Sequence, residues 1–120
     1  MHVAALVIAV LVAVAIIGLG ARFLLAPRPA MAGYGVAPDR LRAMTSAKGV
    51  RDITSGVLLL VVWAAAGTPA LGWFMVAVAL TPVGDAGIVL TNGGTLATAL
   101  GVHGLTAALL LAGGLVLALG

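Results

Sequence analysis

The chain has no cysteine, which excludes a disulfide framework, a thiol nucleophile and any thiolate metal site. Charge is nearly as scarce: 8% of residues are charged, against about 25% in an ordinary soluble domain. The motifs of familiar chemistries are missing too. No glycine-rich phosphate loop follows a strand, no Gly-x-Ser-x-Gly elbow presents a serine, and no His-Glu-x-x-His pair sits on a helix. There is no internal repeat beyond a general Ala/Leu/Val/Gly bias, so a solenoid is excluded as well.

What is present is apolar. Hydrophobic residues make up 63% of 120 residues, more than a soluble domain of that size can bury. The expectation is a single all-α membrane domain, an integral membrane four-helix bundle. The net charge of +3 at first suggests nucleic acid, but its placement argues for a membrane. All six basic residues, Arg22, Arg28, Arg40, Arg42, Lys48 and Arg51, fall in one interval between the first two apolar blocks. Only Phe23 and Tyr34 in that interval are aromatic, so no nucleic-acid partner is expected. Clustered this way they mark a cytoplasmic loop and face anionic lipid headgroups.

Apolar segment lengths predict helices over about residues 3–25, 45–66, 70–90 and 95–117, with a basic loop at 26–44. The first run carries Ala5, Ala9 and Ala13 four apart, a stripe that lets another helix approach closely. Ala30-Met31-Ala32 resembles a signal-peptide cleavage site. The start carries only His2 as a basic group and the apolar run is long, so an uncleaved helix is expected. Thr45 and Ser46 are N-cap types for the second helix. Gly67-Thr68-Pro69 predicts a tight turn, flanked by Trp63 and Trp73-Phe74 as an interfacial aromatic belt. The third helix must either pass through Pro82 or break there. Thr91-Asn92-Gly93-Gly94 predicts the last turn, and Gly104, Ala108 and Ala112 form a second small-residue stripe. With the basic loop inside, both termini are expected outside a multi-pass cell-membrane protein.

This topology gathers the ionisable residues in one layer near the cytoplasmic side. Arg51 and Asp52 lie about two turns into the second helix, Asp85 roughly 8 Å deep on the third and His103 roughly 12 Å deep on the fourth. Lys48, Asp52 and Ser55 share a face bracketed by Gly49 and Gly56, while Arg51 points about 100° away. Ionisable groups inside a bilayer are costly and ask for partners. Asp52, Asp85 and His103 are therefore the candidate acid–base groups, with Arg51 clamping an anionic or carbonyl oxygen. A metal held by Asp52, Asp85 and His103 is disfavoured because no helical ligand spacing supports it, and no cofactor is expected. Each residue also has a structural reading. Arg22, Lys48 and Arg51 serve as snorkelling anchors, Asp52 neutralises a neighbour, Asp85 caps a helix, and His103 is interhelical glue.

The motifs Arg22-Phe23-Leu24-Leu25-Ala26-Pro27, Gly33-Tyr34-Gly35-Val36, Lys48-Gly49-Val50-Arg51-Asp52-Ile53-Thr54-Ser55-Gly56, Pro82-Val83-Gly84-Asp85 and His103-Gly104 resemble one family, the domain of unknown function 4267. The resemblance covers most of the chain and implies a small four-helix membrane protein that keeps these polar residues. It implies no activity. The helix count also suits small-multidrug-resistance transporters, but their acidic residue in the first helix is absent here. Two functions remain: an isomerase, cyclase or hydrolase acting on a lipophilic small molecule, and a non-enzymatic bundle that moves protons or a solute or serves as an accessory subunit. The expected partners are membrane lipids and a lipophilic substrate, with room for a homo-oligomer.

Overall fold

The computed structural model describes residues 21–35 and 39–120, together with Ala4 and Gly18. The rest of the first apolar run, including its stripe at Ala5, Ala9 and Ala13, lies outside the described residues, as does Pro38. The fold is all-α, with four helices and no strand among the described residues. They are α1 (Pro27–Tyr34), α2 (Leu41–Val78), α3 (Leu80–Thr91) and α4 (Leu96–Leu119). The chain divides into two compact units, Met1–Lys48 and Gly49–Gly120.

In the first unit the interval read as loop contains a helix. Pro27 and Pro29 would disrupt a helix interior, but the first turn has no intrahelical use for its N–H groups. The Ala30 N–H donates to the Ala26 carbonyl (3.1 Å), and Ala-Met-Ala carries the helix forward. Gly35, at φ 103, ends it, its N–H donating to the carbonyls of Met31 and Ala32. Ala30 and Met31 are buried on one side while Arg28 is exposed. Tyr34 meets Phe23 edge-on with ring centroids 6.1 Å apart, which ties the end of α1 to the helical residues 21–25 before it. The next helix starts at Leu41 rather than at residue 45. Thr45 lies inside it, its hydroxyl donating to the Arg42 carbonyl (3.1 Å), so that residue is not a cap.

In the second unit α2 is interrupted at Gly67, whose φ of 85 and ψ of −179 are accessible only to glycine. Residues 41–66 and 68–91 are thereby separated. The helical stretches Leu41–Thr91 and Leu96–Leu119 are long and apolar enough to cross a membrane. Only 6% and 11% of their most apolar parts is buried, the reverse of a soluble core helix.

The chain passes through Pro82 without breaking. Pro82 occupies the first turn of α3, where a missing N–H matters least, and Ala79 loosens the junction at ψ −19. The Ala79 N–H reaches the Met75 carbonyl (3.0 Å) and the Val83 N–H the Ala79 carbonyl (3.2 Å), so the ladder continues on both sides. A four-residue connection, 92–95, then reverses direction. Gly93, at φ 83, supplies the left-handed step, and the Gly94 N–H donates to the Val89 carbonyl (2.8 Å). Thr95 caps α4 by accepting from the Thr98 N–H (3.1 Å).

The hairpin of residues 68–91 and 96–119 closes along a seam of small residues. Gly72, Ala79 and Pro82 are buried on one arm of the helical hairpin, and Ala99, Ala107 and Gly114 on the other. A Cβ added at Gly114 would lie 2.8 Å from the Gly72 carbonyl oxygen, so the two backbones are nearly in contact. The predicted stripe at Gly104, Ala108 and Ala112 is not this seam. Ala108 and Ala112 are exposed, and the closing face lies about 100° round the helix, one residue away in register.

Candidate functional site

The hairpin brings two of the four predicted site residues together. Asp85 follows buried Pro82 by three positions, which places it at the edge of the seam on α3. His103 precedes buried Ala107 by four, on the face of α4 that closes against α3. Asp85 Oδ2 stands 4.0 Å from His103 Nδ1, and the two side chains keep 24% and 25% of their exposure. Both groups are thus about three-quarters covered yet still reachable.

The separation determines the chemistry. At 4.0 Å the pair has ion-pair range but exceeds the roughly 2.7–3.2 Å of a direct hydrogen bond. Closing by about 1 Å, or placing an exchangeable group between them, makes proton transfer feasible. Nδ1 faces the carboxylate, which leaves Nε2 as the second proton-carrying atom of the ring.

His103 sits in a π turn, Ala99–Gly104, between two α-helical stretches. α3 packs against this turn and against the helix that follows it. The Leu105 N–H reaches back to the carbonyls of Leu100 and Val102. The Val102 carbonyl also accepts from the Thr106 hydroxyl (2.7 Å). Thr106 therefore helps hold the widened turn that presents His103. Wide turns of this kind are rare and concentrate at functional sites. Residue order alone signals neither the turn nor the part Thr106 plays in it.

Arg51 and Asp52 stand at exposed positions on α2, and Asp52 holds a polar contact of its own. Ser55, predicted to share the Asp52 face, is half-buried, whereas Gly49 and Gly56 have nothing within 4 Å of an added Cβ. Beside Asp85, Gly84 and Gly87 also border open space. Among the described residues no three of His, Cys, Asp or Glu gather in metal-binding proximity.

A family model described as a domain of unknown function (DUF4267) matches residues 13–117. The chain belongs to that family. The match takes in the whole Asp85–His103 hairpin and the Lys48–Gly56 motif of this DUF4267 chain. No curated protein and no solved structure matches it.

Proposed function

We propose that this protein is a multi-pass membrane protein whose Asp85–His103 couple transfers protons to or from a lipophilic small molecule, as an isomerase, cyclase or hydrolase does. The observation that carries the reading is the 4.0 Å approach of a carboxylate and an imidazole from facing helices, one of them in a π turn. Two features support access from the lipid. Both side chains retain about a quarter of their exposure, and Gly84 and Gly87 leave the flank of Asp85 uncovered. An acid–base couple needs no resident cofactor. Arg51 and Asp52 enter this reading as a second polar pair on α2 that meets the polar end of the substrate.

In this arrangement the basic segment lies in the cytoplasm, both termini outside, and the couple near the cytoplasmic leaflet. Trp63 and Trp73, each about half exposed, anchor the opposite interface. The test is an untargeted comparison in deuterated water of membranes carrying the wild type, Asp85→Asn or His103→Gln. The reading expects at least one lipophilic species to be converted, or labelled at carbon, by the wild type alone. Equal profiles from all three proteins would overturn it.

The position of the couple on the small-residue seam favours a second reading, a non-enzymatic bundle in which the couple clamps two helices or relays protons. In that case the same variants lose thermal stability or proton conductance in vesicles, with lipid composition unchanged.

A further inference from the structure

The charge of this chain is concentrated in one place. The first unit, Met1–Lys48, holds Arg22, Arg28, Arg40, Arg42 and Lys48 against a single carboxylate, Asp39. All five cations are exposed. Large apolar side chains are interleaved with them: Leu24, Leu25, Tyr34 and Leu41 are each more than half exposed. A loop needed only to set topology has no reason to be ordered. Here α1 is fixed between Pro27 and the Gly35 cap, its Ala30 and Met31 are buried, and Tyr34 is held against Phe23. Cations beside exposed leucines and a tyrosine, on and on either side of an ordered short helix, match the headgroup–acyl boundary, where each part of an anionic phospholipid finds a complement.

We infer that residues 21–35 and 39–48 form a docking surface for anionic phospholipids, the arginines holding the headgroup phosphate and the exposed leucines the upper acyl chains. Arginine suits this role because its planar guanidinium meets phosphate oxygens in pairs, whereas a lysine offers a point charge. The inference is independent of the Asp85–His103 reading and stands or falls separately.

The test uses the full chain reconstituted in bilayers with spin-labelled phosphatidylglycerol or phosphatidylcholine, read by electron paramagnetic resonance. The surface predicts that the anionic lipid associates at least about threefold more strongly than the zwitterionic one. Raising salt to about 1 M, where the Debye length is about 3 Å, should remove most of that preference. The combined variant Arg22→Gln, Arg28→Gln, Arg40→Gln, Arg42→Gln should bring the ratio close to one, and the same four positions changed to Lys should retain part of it. A ratio near one for the wild type would overturn the inference, as would a ratio that the Gln variant leaves unchanged. Loss of the preference on adding millimolar inorganic phosphate would reassign the surface to a free anion. If the Gln variant does not fold, as read by its helical circular dichroism, the salt and Lys arms decide the matter.

Discussion

The seam between residues 68–91 and α4 is so close at Gly72 that one added methyl group should measurably open it. A Cβ built at Gly72 lies 2.5 Å from the Gly114 carbonyl oxygen, 2.8 Å from Ala118 Cα, and against the Ala118 backbone nitrogen. All three are backbone atoms, so no side chain can rotate aside. Reaching ordinary van der Waals contact requires the helices to part by about 1 Å, which forfeits a quarter to a half of the dispersion well along the seam. Overpacking of this kind costs about 1–3 kcal/mol. Replacing glycine by alanine within a helix returns roughly 0.5–1 kcal/mol. The net expectation for Gly72→Ala is a loss of about 1 kcal/mol, which lowers the folding equilibrium constant about fivefold. Gly56→Ala is the matched control, because nothing lies within 4 Å of its added Cβ and only the propensity gain remains. Reversible unfolding in mixed micelles, followed by the fluorescence of Trp73 next to the mutated position, separates the two. If Gly72→Ala proves as stable as Gly56→Ala, the close seam is wrong, and with it the placement of Asp85 against His103.

Three further substitutions probe the local features that build the hairpin. Gly67→Ala forces a side chain into φ 85 with ψ −179 and should cost about 1–3 kcal/mol in the same unfolding assay, whereas Gly84→Ala, with open space around it, should not. Thr95→Ala removes the oxygen that accepts from the Thr98 N–H and should cost about 1 kcal/mol, with Thr95→Ser close to wild type. Thr106→Val removes the hydroxyl that donates to the Val102 carbonyl at 2.7 Å. It should cost about 1 kcal/mol and speed amide exchange in the π turn, with recovery in Thr106→Ser.

Much of the helical architecture is legible in the residues because bilayer thickness converts apolar length into helices. The same arithmetic, counting turns inward from the Asn92 connection, puts Asp85 and His103 at similar depth, and the structure joins them at 4.0 Å. The short helix α1 is hidden because Pro27 and Pro29 ordinarily argue against a helix, and only their place in its first turn makes them compatible with one. The π turn at Ala99–Gly104 has no sequence period of its own. Nor does composition distinguish the stripe at Gly104, Ala108 and Ala112 from the seam at Ala99, Ala107 and Gly114. Both consist of small residues, and the choice is made by which backbone comes within reach of Gly72. Arg51 and Asp52 show a related limit. Spacing places them on one turn of α2 but does not determine what their side chains meet in space.

The account rests on Asp85 and His103 facing each other within a membrane-embedded hairpin. The most direct measurement is a solid-state NMR distance between Asp85 Cγ and His103 Nδ1 in the full chain reconstituted in bilayers. The account predicts a value no larger than about 5.2 Å, the 4.0 Å separation plus one carbon–oxygen bond of about 1.2 Å. It also predicts that Asp85→Asn shifts both imidazole nitrogen resonances. No resolvable carbon–nitrogen coupling, together with histidine resonances that Asp85→Asn leaves in place, would contradict it.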